Sequence, residues 1–168
     1  AYSGGTYSSE WGWAKMLHVL REDASLRAKA YSWAEHCDWM AALLTGNTQP
    51  EKMYRGRCAA GHKAMWNAKW GGLPSEEFLH TLDPLMDTFK GHMYTETHTS
   101  ETCVGTLTEE WQRRLGLHGK IAVAMGAIDA HVGAVGAGAG RNVLTRIMGT
   151  STCDILVASE TAIGDKLI

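Results

Sequence analysis

The amino-acid sequence predicts an α/β fold, and three observations support this prediction. Apolar residues recur at helical spacing through much of the first half of the chain. Apolar, strand-like runs follow residue 120, and turn-forming residues separate these segments from one another. The predicted architecture is therefore mixed, with helices first and a hairpin near the end.

The composition is that of a globular protein. The chain has 168 residues, of which 45% are hydrophobic and 20% are charged, so it is long enough to bury a core and wholesale disorder is excluded. A formal charge of −2 argues against nucleic acid as the main partner. Glycine is unevenly spread, since 6 of the 19 glycines lie between Gly126 and Gly149.

Two helices are predicted in the first third of the chain. The first extends from Glu10 to Arg21, where four apolar residues occupy positions i, i+3, i+4 and i+7. A second, longer helix is predicted over residues 26–44, and Gly46 is placed to end it in a left-handed conformation. Residues 45–50 have the composition of a turn. The tryptophans of the second helix, Trp33 and Trp39, are expected in the core or at a subunit contact.

The middle of the chain predicts short elements. Residues 53–70 mix basic and aromatic side chains, which indicates a loop or short strand leading into a short helix. Pro74 and the acidic residues after it indicate a helix start, and Pro84 limits that helix. Residues 92–104 suit exposed strands or an extended loop. Thr108 is predicted to cap a helix that stops at Gly116.

The last third predicts a strand, a helix of small residues and a hairpin. Residues 121–125 are predicted to form a buried strand, and Asp129 to cap a helix that continues through Gly138. Two apolar strands, 143–148 and 153–158, are predicted to be joined by a turn at 149–152. The small residues of the helix would allow another backbone to approach closely, as at a domain interface.

The cysteines and histidines predict no metal site. No CxxC pair and no HxxxH pair is present, so neither a zinc site nor a redox motif is indicated, and reduced thiols are expected. The polar N-terminal stretch lacks the pattern of a secretory signal, and the expected location is cytoplasmic. The four cysteines are Cys37, Cys58, Cys103 and Cys153.

Asp129 is the first candidate functional residue. It is the one Asp, Glu, Lys or Arg in the twenty residues between Lys120 and Arg141. It could simply cap the following helix, or act as a general base held at a strand-to-helix junction among apolar neighbours, and the two roles are compatible. A membrane span is disfavoured by Asp129 and His131 near the middle of this run, and no GxGxxG motif opens the helix.

Two further candidates bear on ligand binding. A turn is predicted at Gly149, Thr150, Ser151 and Thr152. Its backbone N–H groups and hydroxyls could bind phosphate oxygens, although most turns of this composition have only a structural role. Lys63 precedes apolar residues, so its ammonium is either partly enclosed and directed inward or solvated at the surface.

Together these candidates resemble a known family. The segments RGRCAAGHKAMW (55–66), GAIDAHVGAVGAGAG (126–140) and MGTSTCDIL (148–156) resemble the L-ribulokinases of the FGGY carbohydrate kinase family, as does DWMAALLTG (38–46). The AGHK and GTSTCD strings favour ribulokinases over the related xylulokinases and glycerol kinases. The resemblance extends over essentially the whole chain.

The resemblance implies a fold and an activity. It implies ATP-dependent phosphorylation of the terminal hydroxyl of L-ribulose, giving L-ribulose 5-phosphate in arabinose catabolism. It also implies an actin-like, ribonuclease H-like fold. Residues 1–141 would form the second half of the first, sugar-binding domain, and residues 142–168 the first hairpin of the second, nucleotide-binding domain.

The resemblance also implies roles for the candidate residues. Asp129 matches the catalytic base and contacts the sugar, and Lys63 matches a lysine that contacts the sugar. Magnesium would be carried mainly by ATP, with no metal ligands from this chain. The ATP phosphates would bind at Gly149, Thr150 and Ser151.

The chain departs from the family in length. It lacks the family's N-terminal Asp-Gly-Thr turn and its C-terminal adenosine-binding Gly-Gly region, so the isolated chain is expected to be inactive. The alternatives are a non-catalytic sugar-binding or oligomerisation module, or another FGGY pentulose kinase such as a xylulokinase. No membrane partner is expected, and the tryptophans suggest a homodimer.

Overall fold

The computed structural model describes residues 6–159, which divide into two compact units. One unit is Ser9–Ala127, and the other contains residues 128–159 together with residues 6–8. Helices and strands are mixed, as an α/β class requires. The more specific kinase fold, and the division of the chain at residues 141 and 142, stay predictions.

The first unit contains six α-helices among its described residues, and α1 confirms the first predicted helix. The predicted stripe of α1 is largely buried at Trp13, Met16 and Leu20. Short 3-10 segments occupy Ala68–Trp70 and Pro84–Phe89. The helices are α1 (Gly12–Glu22), α2 (Ala24–Arg27), α3 (His36–Thr45), α4 (Arg57–Ala64), α5 (Glu76–Leu82) and α6 (Glu109–Leu115).

The prediction of one long helix over residues 26–44 is wrong. Two helices, α2 and α3, occupy this region and are separated by non-helical residues 28–35. A tertiary contact replaces a hydrogen bond that a continuous helix would make, because the Trp33 carbonyl accepts from Arg55 Nη1 at 2.7 Å. The predicted end of α3 is confirmed, since Gly46 is left-handed with φ 74°.

Side-chain caps set the ends of two other predicted helices. Ser75 accepts a hydrogen bond from the Phe78 N–H and starts α5, which confirms the helix start after Pro74. Thr108 accepts one from the Trp111 N–H and starts α6, and Gly116 ends α6 with φ 67°. Both ends of α6 are therefore as predicted.

A two-stranded antiparallel sheet completes the first unit. Strands β1 (Cys103–Thr106) and β2 (Ala122–Ala124) pair with a bulge between Cys103 and Gly105, and α3 packs against both strands. Residues 92–102 are mostly irregular, with an isolated parallel bridge between His98 and Gly56. The strand predicted at 121–125 is present, but it is not buried as expected, since both of its alanines are exposed. A small core of Ala41, Val104 and Met125 lies beside it.

The second unit is a helix packed on a hairpin. Helix α7 (Asp129–Gly136) packs against strands β3 (Leu144–Met148) and β4 (Thr152–Leu156), which pair in register. The hairpin confirms the prediction for this region. The helix ends earlier than expected, because Gly138 takes a left-handed conformation with φ 81°.

None of the helices in residues 6–159 combines the length and apolar character that a membrane crossing demands.

Candidate functional site

Lys63 lies in the last turn of α4, and contacts at both ends of this helix hold it in place. At the start of α4, the N–H of Gly56 donates to the buried Asp38 Oδ1 at 2.9 Å. At its end, the indole N–H of Trp13 donates to the Ala64 carbonyl at 2.9 Å. The backbone that carries Lys63 is therefore tied to both α3 and α1.

The Lys63 side chain is partly enclosed. Its Nζ lies 3.9 Å from Oε2 of Glu35, and the two side chains are 35% and 16% exposed, respectively. Glu35 is the N-cap residue of α3, but its carboxylate makes no cap hydrogen bond. The carboxylate is thus directed to Lys63 and not to the start of its own helix.

A cleft of about 490 Å³ lies where Glu35 and Lys63 meet, entirely within the first unit. Aromatic surface together with a few placed polar or charged groups is typical of small-molecule sites. Two other cavities, of about 740 and 340 Å³, contain none of the site residues predicted from the sequence. The residues that line the cleft include Glu10, Lys15, Trp33, Glu35, Trp39 and Lys63.

Asp129 is the first residue of α7, and its environment differs from the prediction. The N-cap is Ile128, so the prediction that Asp129 caps the helix is wrong. Asp129 Oδ1 instead accepts a hydrogen bond from the Ala130 N–H at 2.8 Å, and the residue is exposed within the described part of the chain. The apolar enclosure expected around this carboxylate is therefore absent among residues 6–159.

The turn between β3 and β4 is open to solvent. Gly149, Thr150 and Ser151 are all exposed. The Gly149 N–H donates to the Ser151 carbonyl at 2.9 Å, so this donor is used within the turn and does not point outward as expected for a phosphate cradle. Because α7 packs on β3 and β4, the turn and Asp129 belong to one unit, whereas Lys63 belongs to the other. The predicted roles of all five residues stay predictions.

Two buried charged residues, Asp38 and Arg55, were not among the candidates predicted from the sequence. Asp38 and Arg55 are each 2% exposed. Burial raises the pKa of Asp38 to about 6, against the opposing effects of the Gly56 N–H and the Arg55 guanidinium. Burial also lowers the pKa of Arg55, whose guanidinium lies 5.1 Å from the centre of the Tyr94 ring. A signal existed, because Asp38 precedes Ala41 and Ala42 by three and four positions and so shares their apolar helix face.

The thiol of Cys37, next to Asp38, has low reactivity. Burial, with the neighbouring charge of Asp38, raises the pKa of Cys37 to about 12, so the reactive thiolate is scarce at neutral pH. All four cysteines are free, and Cys103 is the exposed one. Among the described residues, no group of three or more His, Cys, Asp or Glu side chains is arranged to hold a metal ion.

Comparison with known proteins supports the resemblance seen in the sequence. No family model matches the chain. The chain is 49% identical over 167 residues to a ribulokinase of Vibrio parahaemolyticus, covering 99% of this chain and 30% of that protein. It is 38% identical over 161 residues to a ribulokinase of Shouchella clausii, covering 94% of this chain and 27% of that protein. It is 39% identical over 157 residues to a ribulokinase of Mycolicibacterium smegmatis, covering 91% of this chain and 26% of that protein.

These matches concern part of each relative. The chain spans less than a third of the length of the curated relatives it matches. The aligned region nevertheless extends along nearly all of the chain. The predicted resemblance is thereby confirmed: the chain is similar to ribulokinases over nearly its whole length, in a manner consistent with an internal segment of such a kinase.

Proposed function

We propose that the chain is a segment of an ATP-dependent sugar kinase that phosphorylates the terminal hydroxyl of L-ribulose, forming L-ribulose 5-phosphate. The observation that supports this most strongly is the 49% identity to a ribulokinase over 99% of the chain. The other two relatives described above bear the same name, which favours L-ribulose over the substrate of a xylulokinase.

In this proposal Asp129 is the general base. Phosphoryl transfer asks little covalent chemistry of a protein, because catalysis consists mainly of alignment and charge stabilisation. The attacking hydroxyl becomes acidic as it bonds to phosphorus. An oriented carboxylate is sufficient to accept that proton. The orientation of Asp129 supports this role, since Oδ1 is held by the Ala130 N–H and Oδ2 makes no hydrogen bond within the described residues.

The remaining candidates bind the substrates. Lys63 donates to sugar hydroxyls from the cleft, where it is partly shielded from solvent. The turn of Gly149, Thr150 and Ser151 contacts ATP phosphates through its exposed hydroxyls. In this proposal Mg²⁺ is held mainly by the nucleotide phosphates and water, as suits a small, hard cation that gives up its waters reluctantly. Such an ion would neutralise charge on the transferred group.

A non-catalytic sugar-binding module is the second candidate function. It is supported by the position of the Lys63 cleft, which lies wholly within the unit Ser9–Ala127. Such a module would bind L-ribulose without using ATP. The cytoplasmic location and the homodimer stay predictions.

The test uses a chimera in which this chain replaces the matching segment of the Vibrio parahaemolyticus relative. We expect Asp129→Asn to reduce ribulose-dependent ADP release by about 10³-fold or more with little change in ribulose affinity, because loss of the base acts on the chemical step. Asp87→Asn, a surface change in the other unit, is the control and should leave both values unchanged.

The outcomes separate the candidate functions. Near-normal turnover in the Asp129→Asn chimera would remove Asp129 from the role of base. An unsubstituted chimera that binds ribulose but releases no ADP would favour the sugar-binding module.

A further inference from the structure

We infer that Glu35 is a positioning residue of the sugar site, holding the Lys63 ammonium in the cleft for contact with sugar hydroxyls. This inference rests on the proposed sugar-binding role of Lys63 and extends it to a carboxylate on a different helix. The juxtaposition that supports it is the ion pair between Glu35 Oε2 and Lys63 Nζ at 3.9 Å, at the wall of the 490 Å³ cleft.

The backbone of Glu35 is held rigidly. Its carbonyl accepts the Trp39 N–H at 2.9 Å and so begins the hydrogen-bond ladder of α3. Its Oε1 lies on the side of Gly12 in α1, 3.5 Å from the position that a β-carbon on this glycine would occupy. With its backbone in the ladder of α3 and its Oε2 paired with Lys63, the charge of Glu35 has a defined direction, which a solvated surface glutamate lacks.

The ion pair is partly withdrawn from water. The Glu35 side chain is 16% exposed and that of Lys63 is 35% exposed, whereas the α6 pair of Glu109 and Arg113 is 93% and 72% exposed. Reduced solvent screening strengthens an ion pair and narrows the positions that the flexible lysine side chain adopts. Glu35 therefore reduces the entropy that Lys63 loses when it binds a ligand.

The chemistry of the pair suits a sugar. An ammonium carries three donors, so pairing with Glu35 is compatible with donation to ligand hydroxyls. The carboxylate of Glu35 can accept a hydrogen bond from a hydroxyl at the same time. Trp39, which is 41% exposed and lines the same cleft, offers a flat apolar surface for the carbon face of a sugar.

The test measures L-ribulose binding to the 168-residue chain by calorimetry, because the whole cleft lies within this chain. We expect Glu35→Gln, which keeps the shape and removes the charge, to weaken binding by about tenfold. Lys63→Met should weaken binding at least as much, and the double variant no more than Lys63→Met alone. Glu109→Gln is the matched control and should bind as the parent chain does.

Each outcome decides the inference. A merely structural role for Glu35 would lower the thermal unfolding temperature of Glu35→Gln, whereas a positioning role leaves that temperature unchanged and produces the non-additive loss of binding. Unchanged affinity in Glu35→Gln, or losses that add fully in the double variant, would overturn the inference. Absence of ribulose binding in the parent chain would also overturn it, while ADP release by the chimera described above decides the kinase proposal independently.

Discussion

At the scale of single residues, Asp38 is the group whose protonation matters most for stability. It is buried beside Cys37 and Arg55, and its pKa of about 6 exceeds its ordinary value of 3.8. Between these two pH values the folded chain binds more protons than the unfolded chain, so the free energy of unfolding falls as the pH rises. The contribution of Asp38 is therefore most favourable below about pH 4 and is lost as the pH passes the folded-state pKa.

Substitution of Asp38 tests this dependence. Asp38→Asn retains an oxygen that can accept the Gly56 N–H but cannot titrate. The quantity to compare is the free energy of unfolding of the parent chain minus that of Asp38→Asn. We expect this difference to fall by roughly 2–3 kcal/mol between about pH 4 and about pH 7, because the pKa of Asp38 differs by about two units between the folded and unfolded chain. Urea denaturation at several pH values measures this difference. A difference that is constant or rises with pH would contradict the assignment.

At the scale of elements, the backbone after β2 lies very close to the starts of α3 and α4, and glycines make this close contact possible. A β-carbon on Gly126 would lie 2.7 Å from the Cys37 carbonyl oxygen, and one on Gly56 would lie 3.0 Å from the Gly126 carbonyl oxygen. The close approach that the sequence predicts for the glycines of α7, as at a domain interface, stays a prediction. Among the described residues, no atom lies within 4 Å of a β-carbon built on Gly136. The tight approaches at Gly56 and Gly126 lie in Ser9–Ala127.

A pair of glycine substitutions tests the approach. Gly126→Ala should destabilise the chain by about 1–3 kcal/mol, because the clash is with backbone that cannot move aside. Gly61→Ala is the control within α4, where the new methyl group would lie 3.7 Å from the Trp66 carbonyl oxygen. We expect it to stabilise the chain by about 0.5–1 kcal/mol through helix propensity. Thermal or urea unfolding of both variants checks the contrast, and equal effects would argue against the close contact.

At the scale of the whole molecule, the candidate residues are distributed over two compact units. Lys63 lies in Ser9–Ala127, and Asp129 lies with the Gly149–Ser151 turn in the other unit. Each unit contains one sheet of two strands among its described residues. Isolated two-stranded sheets are marginal in stability, and their packing here depends on α3 in one unit and α7 in the other.

We therefore expect the 168-residue chain alone to show no ribulose-dependent ADP release, because it matches only 30% of the length of the Vibrio parahaemolyticus ribulokinase. A coupled assay for ADP with L-ribulose and ATP measures this directly. The chimera serves as the positive control. Turnover by the chain alone at a rate similar to that of the chimera would contradict the proposal that the chain is only a segment of the kinase.

The elements that could be predicted are those that depend on neighbouring residues. The Thr108 cap, the left-handed glycines at 46 and 116 and the hairpin near the C-terminus all follow from chemistry within a few positions. The break between α2 and α3 could not be predicted in this way, because Arg55, 22 residues away, binds the Trp33 carbonyl. The exposure of Asp129 likewise depends on which segments surround α7.

The sequence by itself determined the resemblance to ribulokinases, the identity of the candidate residues and most helix and strand positions, because motifs and caps are local in the chain. Only the tertiary structure decided that Lys63 of α4 pairs with Glu35 at the start of α3, that Asp38 and Arg55 are both buried, and that Gly126 lies against the Cys37 backbone with no room for a β-carbon. These features join residues that lie far apart in the chain. Burial and close approach arise only when the chain folds back on itself, so no local pattern specifies them.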